Sequence, residues 1–329
     1  MHNYIKESWY EILVTTIYII NFLAIINLIF REKRNIEATV AWVLVLTTAP
    51  AIGCILYIAF GRGISKNNMF KIKEAEDKIL KENIIDTQIK LGHNDDFEPD
   101  LIGYKDMIYA LANSNSSHFT TNNDVEIFPE SSDFFECLLE ELKKAKDYIN
   151  IQFYIFKDDE IGNKIIDILI DKAQKGVEVR LLYDAVGSRL FSDKSINKLK
   201  KAGVKVGTFF PSFMKIINFN LNYRNHRKIV VVDGTVGFIG GNNVGDEYLG
   251  KDPKFGYWRD THLKITGDSV KDLNIRFILD WRYTTKEDLD LNKYFENKAP
   301  RIYNPKAYKD IGVQIVSSGP DSTELDEIK

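Results

Sequence analysis

Between residues 225 and 243 the chain reads Asn-His-Arg-Lys-Ile-Val-Val-Val-Asp-Gly-Thr-Val-Gly-Phe-Ile-Gly-Gly-Asn-Asn. Side chains alternate across a strand, so His226 and Lys228 project from one face and set an imidazole and an ammonium beside one small anionic group. A phosphate fits that pair. A neutral imidazole can attack phosphorus, a lysine can neutralise charge on the non-bridging oxygens, and glycines at 240 and 241 let the backbone approach closely. Taken singly, the pieces have plainer readings: Asp233 as a turn residue, Lys228 as a solvated strand residue, Gly240-Gly241 as a turn. Together they are much more specific.

The elements that must hold these residues follow from periodicity. The two apolar runs around Asp233-Gly234 predict a hairpin with a tight turn. Upstream, from about residue 124, short β-rich runs alternate with amphipathic helical runs, the pattern of an α/β domain with a largely parallel sheet. Phe134, Phe135, Leu138, Leu139, Leu142 and Ala145 fall at helical spacing after the candidate caps Ser131 and Ser132. Strands are expected at 149–156, 177–183 and 204–209, and helices at 161–174, 195–202 and 270–283, with Gly176 and Gly203 as stops.

Composition bounds the class. The chain has 329 residues, 44 Lys and Arg against 47 Asp and Glu, and is 44% hydrophobic, which describes a globular protein of one or two domains and not a disordered one. A net charge of −3 gives no reason to expect a nucleic-acid partner. Cys54 and Cys137 stand 83 positions apart without metal-ligand spacing, so neither a disulfide framework nor a metal site is expected.

Charge is distributed unevenly. Ile12 to Phe30 is 19 residues without a charge and Ala38 to Phe60 is 23, lengths that match a hydrocarbon core of ~30 Å at ~1.5 Å per helical residue. A seven-residue connection, Arg31 to Glu37, makes the pair a membrane hairpin with helices at about 12–30 and 38–60. That loop carries three basic residues, whereas Lys6, Arg62, Lys66, Lys71, Lys73 and Lys78 give six on the tail side, which predicts a multi-pass protein of the cell membrane with cytoplasmic tails. Residues 63–100 read as a charged linker with a helical stretch near Met69 to Lys90.

The pattern H-x-K-x4-D-x6-G-G-x-N, met by His226, Lys228, Asp233, Gly240, Gly241 and Asn243, resembles the signature of the phospholipase D superfamily. More narrowly, the chain is similar to the bacterial cardiolipin synthase branch. The similarity lies in Ala41-Trp42-Val43-Leu44 through Pro50, Gly53, Tyr57 and Phe60-Gly61-Arg62, in Gln152-Phe153-Tyr154-Ile155-Phe156, in Asp246-Glu247-Tyr248 and in Trp258-Arg259-Asp260-Thr261-His262. It implies an α/β fold, a phospholipase D-like mixed sheet flanked by helices behind a two-helix transmembrane hairpin (1–62), with a first catalytic domain at 101–309. The activity implied is phosphatidyl transfer between two phosphatidylglycerol molecules, giving cardiolipin and glycerol through a phosphohistidine, without metal or other cofactor. His226 would be the nucleophile or acid, Lys228 and Asn243 would hold the phosphate oxygens, Gly240 and Gly241 would line the substrate, and Asp233 would support the motif from its turn.

Members of this branch carry two such motifs, and here one is complete. Residues 310–329 resemble the opening of a second phospholipase D-like domain. His262-Leu263-Lys264 imitates a second motif, but Asp268 comes one residue early and no double glycine follows. It reads instead as a strand of the first half. The expected partners are therefore phosphatidylglycerol, membrane lipid, and either a second copy or a second phospholipase D-like half. The competing expectations are an idle truncated membrane protein and a phosphodiesterase of the same superfamily.

Overall fold

Residues 2–30, 36–57, 103–115, 117, 119–209, 224–287, 289 and 311–317 are described by a computed structural model, which divides into two units, Met1–Ile72 and Lys73–Lys329. The first unit contains α1 (His2–Phe30), α2 (Ile36–Thr48) and α3 (Pro50–Leu56). Over Glu11–Phe30, α1 is long and apolar enough to cross a membrane, and its apolar side chains are mostly exposed. The second apolar run does not form the single helix expected over 38–60. Pro50 has no N–H to continue the ladder and Ala49 leaves the helical region (φ −135°, ψ 68°), so α2 ends and α3 starts afresh. Asn21 of α1 donates to the Pro50 carbonyl (2.9 Å), and Leu28, Leu46 and Tyr57 form a small buried cluster. The linker and its helix near Met69 to Lys90 lie outside the described residues.

In the second unit α4 (Lys105–Asn115) and β1 (Phe119–Thr120) precede β2 (Asn123–Phe128), α5 (Ser131–Lys144), β3 (Tyr148–Phe153), α6 (Glu160–Gln174), β4 (Glu178–Asp184), α7 (Asp193–Lys201) and β5 (Lys205–Phe209). Then come β6 (Ile229–Val232), β7 (Val236–Gly240), a 3₁₀ turn (Asp246–Leu249), β8 (His262–Gly267), α8 (Val270–Thr285) and β9 (Val313–Gln314). Seven strands form one sheet in the order β2-β8-β7-β6-β3-β4-β5.

The sheet is mixed, and less parallel than the alternation of strands and helices suggested. Only β3, β4 and β5, whose connections contain a helix, run parallel. The β6–β7 hairpin and the returning β8 pair antiparallel, as does β2 at the edge. A tight turn can join only antiparallel strands, so the motif hairpin itself turns the sheet over. At that turn Asp233 and Gly234 both have positive φ (52° and 67°), the conformation that Asp-Gly accepts readily.

Helices end where expected, with Gly176 and Gly203 at φ +87° and +95°. Asp159 caps α6 and Ser192 caps α7 through their side chains. The caps proposed for α5 are not used as such. Ser131 lies inside the helix and gives its hydroxyl proton to Asn242 Oδ1 (2.7 Å), while Glu130 is the N-cap. The stretch 310–329 is described only over 311–317, and that part returns to the first strand of the domain, pairing Val313 with Thr120 and Gln314 with Phe119.

Candidate active site

The site is assembled at one end of the central strands, where β3 ends, β6 begins and β7 ends. Behind β3 the chain bends so that Val244 N donates to the Ile155 carbonyl (3.1 Å) and Lys157 N to the Val244 carbonyl (3.1 Å). This parallel bridge, Phe156 against Val244, ties the loop after β3 to the loop after β7. Asn243 reinforces it: Oδ1 accepts from Ile155 N (3.0 Å) and Nδ2 donates to Tyr248 Oη (2.8 Å).

Tyr154, on the first of those loops, becomes a platform. The His226 imidazole stacks on its ring (3.9 Å between centroids, planes 20° apart), and Lys228 Nζ lies 5.4 Å from the same centroid. Lys228 also donates to the His226 carbonyl (2.7 Å), and with three ammonium protons it keeps donors for an anion. His226 is exposed and Lys228 only partly so. Partial burial lowers the His226 pKa below the usual imidazole value, the Lys228 charge lowers it further, and Asp184 opposes both. Burial pushes Lys228 down to about 8, against the attraction of Asp260. The result is a neutral imidazole beside an ammonium. Tyr248, behind Asn243, is pushed up to about 12 by burial and stays protonated.

The remaining motif residues stand apart from this cluster. Asp233 sits at the far end of β6 from His226, where its carboxylate accepts from the backbone N–H groups of Lys146, Asp147 and Tyr148 (2.8–2.9 Å). It fixes the start of β3 and does not share the site. Gly240 and Gly241 each make room for neighbouring protein atoms. A Cβ at Gly240 would stand 2.5 Å from the His262 Cα, and one at Gly241 would stand 1.9 Å from Asp260 Oδ1. Neither glycine has a positive φ, so neighbouring atoms impose the requirement.

His262 pairs with Gly240 across the strands, and its ring stacks on Phe134 (3.8 Å, 17°). It is fully buried, its ring nitrogens have no hydrogen-bond partner among the described residues, and burial pushes its pKa down to about 3. That environment suits a packed neutral ring and excludes proton exchange with solvent.

Tyr154, Tyr248, Asp260 and Asp280 are parts of the site or its supports that the motif did not single out. A sequence signal existed for Asp280, an acid on the apolar stripe Leu273, Phe277, Asp280 and Trp281, where helical spacing demands burial. Among the described residues no group of acidic, Cys or His side chains could hold a metal ion.

A histidine and lysine on alternate residues, an asparagine after a double glycine, and a mixed sheet flanked by helices together define the fold and site; the chain belongs to the phospholipase D superfamily. A family model described as "Cardiolipin synthase, PLD-like domain" matches residues 138–253, and one described as "Phospholipase_D-nuclease N-terminal" matches residues 19–62. The chain is 42% identical over 322 residues to a cardiolipin synthase of Oceanobacillus iheyensis, covering 97% of this chain and 65% of that protein. It is 43% identical over 326 residues to a major cardiolipin synthase of Bacillus subtilis, with the same coverage of each. With the cardiolipin synthase of Clostridium perfringens strain 13 it shares 46% identity over 297 residues, 89% of this chain and 60% of that one. It thus spans somewhat under two thirds of the length of these relatives.

Proposed function

We propose that this chain carries a phosphatidyl-transfer site of the cardiolipin synthase type. The observation that carries the reading is the exposed His226 imidazole stacked on Tyr154 beside the Lys228 side chain. The names of the relatives and the apolar α1 support a lipid substrate.

In the first half-reaction an imidazole nitrogen of His226 attacks the phosphorus of one phosphatidylglycerol. A P–N bond forms, the P–O bond to the head-group glycerol breaks, and glycerol leaves with a proton from a general acid. In the second, the primary hydroxyl of another phosphatidylglycerol attacks that phosphorus, gives its proton to the same group now acting as base, and releases His226 with cardiolipin formed. Lys228 stabilises the phosphate oxygens throughout. Asn243, whose amide already holds Ile155 and Tyr248, offers its second N–H proton.

The attacking group and the proton donor must stand on opposite sides of phosphorus, and one histidine cannot occupy both places. His262, sealed in the core, does not supply the second. A second phospholipase D-like half, on the same or another chain, therefore completes the site, and residues 310–329 are assigned to the opening of such a half. The N-terminal region is assigned to a membrane hairpin with the catalytic domain on the cytoplasmic side.

The test is reconstitution of the chain in phosphatidylglycerol vesicles over a range of protein densities. Cardiolipin production that rises per molecule with density, and disappears on mixing with excess His226→Ala chains, establishes a site shared between copies. Activity restored only by a second phospholipase D-like half locates the missing acid there. High activity from a monomer overturns the two-histidine scheme. Release of phosphatidic acid in place of cardiolipin assigns the site to hydrolysis, and a folded chain inert in every combination overturns the assignment.

A further inference from the structure

Alternation along the chain divides the segment that precedes β6 between two faces. His226 and Lys228 point towards Tyr154, whereas Asn225 and Arg227 point the other way, beneath the sheet, where α8 lies. There they meet one fully buried carboxylate, Asp280. Asp280 Oδ2 accepts from Asn225 Nδ2 (2.7 Å), from Gln152 Nε2 (2.9 Å) and from an Arg227 guanidinium nitrogen (3.1 Å), and Oδ1 accepts from Arg276 (2.8 Å). Asn225 closes the arrangement, because its Oδ1 accepts the backbone N–H of Arg227 (3.1 Å). The residues on either side of His226 are thus fastened to the same acid.

Residues 224–228 lie outside the strand ladder, so backbone pairing does not fix the turn at which His226 leaves the chain. The fastening must come from side chains. A buried carboxylate with two guanidinium groups and two amides around it is strongly held in place, since removing any one partner leaves buried charge uncompensated. Gln152 adds that the acid is tied to β3, the strand whose end carries Tyr154. Both surfaces of the His226–Tyr154 stack are therefore referred to one point.

We propose that Asp280 is a positioning residue of this site: by holding Asn225 and Arg227 under the sheet it fixes the His226 imidazole on Tyr154 and sets Lys228 beside it. The proposal rests on the reading of His226 as the reacting group, but its first test needs no substrate. In the detergent-solubilised full chain labelled at histidine, the His226 ring signals, assigned by their loss in His226→Gln, carry an upfield shift from the Tyr154 ring and titrate below the usual imidazole value. Lys228, Asp184 and Tyr154 are the groups that face it.

In Asp280→Asn these signals move towards their free-chain positions and the His226 pKa rises towards its usual value, while the other histidine signals hold. Asn225→Ala, which cuts the fastening without changing charge, gives the same displacement at smaller amplitude and decides the matter if Asp280→Asn does not fold. In vesicles with an active partner half, kcat falls by about 10²-fold, the scale of a misplacement near 1 Å, with KM changed less than twofold. Unchanged His226 signals in folded Asp280→Asn, or in Asn225→Ala where the first variant does not fold, overturn the proposal. A wild-type chain that stays inert with a second phospholipase D-like half, while its His226 signals respond as described, leaves the positioning intact and overturns the proposed reaction.

Discussion

Towards α5, α6 and α7 the sheet turns Ile149, Ile151 and Phe153 of β3 and Val230 and Val232 of β6, which join Phe134, Leu138, Ile165 and Leu169 in a continuous apolar core. One residue out of step, towards α8, β3 turns Asn150 and Gln152, which bond to Asn274 (2.9 Å) and Asp280 (2.9 Å). Both faces are buried, yet their chemistry differs. The apolar face gains stability from area removed from water, a non-directional effect that tolerates repacking. Hydrogen bonds on the α8 face contribute little net stability each but are expensive to leave unmade, so they fix where groups sit. The first face is held by apolar area alone, whereas the second adds to its own apolar residues, Leu273, Phe277 and Trp281, the bonds that set the coordinates of the site.

That division can be broken in order of expected effect. Phe134→Ala empties part of the apolar core and exposes the face of His262; stability should fall by ~3–5 kcal/mol in denaturant unfolding of the solubilised chain. The His226 signals should stay in place below the midpoint. Asn150→Leu on the other face leaves Asn274 Oδ1 without this donor and should cost ~1–3 kcal/mol, whereas adding Asn274→Leu, which removes that acceptor but also the bond to Tyr148 Oη, should recover part of the loss. A double variant no more stable than the single would mean that this face, too, is held by packing.

The smallest effect tests electrostatics at the rim. His226 must be neutral to attack, so the rate should fall on the acid side only below the ordinary imidazole value of 6.5. Lys228 must be charged, so the basic limb should fall near pH 8. Lys228→Arg, which keeps its charge to far higher pH, should lower the rate and remove that limb. A basic limb unchanged in Lys228→Arg would detach it from this residue.

Much of this was legible in the chain because period and punctuation are local. The hairpin at Asp233-Gly234, the helix stops at Gly176 and Gly203 and the shared face of His226 and Lys228 all follow from neighbours in sequence. Strand direction was less legible, since β8 returns across the sheet by a pairing that only the assembled fold decides. The same limit hid Asp280, which stands 54 positions from His226 and meets its flanking residues through tertiary packing. Pro50, visible in the second apolar run, was outweighed there by run length, and the backbone follows the proline.

The contact between Gly241 and the Asp260 carboxylate has a consequence for descent. A side chain at 241 requires the Asp260 carboxylate to turn aside or to be replaced by something smaller, so each position limits what the other can hold. Gly240 is bound more tightly, because the atoms a Cβ would meet there are the backbone of Thr261 and His262, which cannot swing away. Of two adjacent glycines that look alike as a mark of chemistry, one is thus negotiable with its neighbour and the other is not.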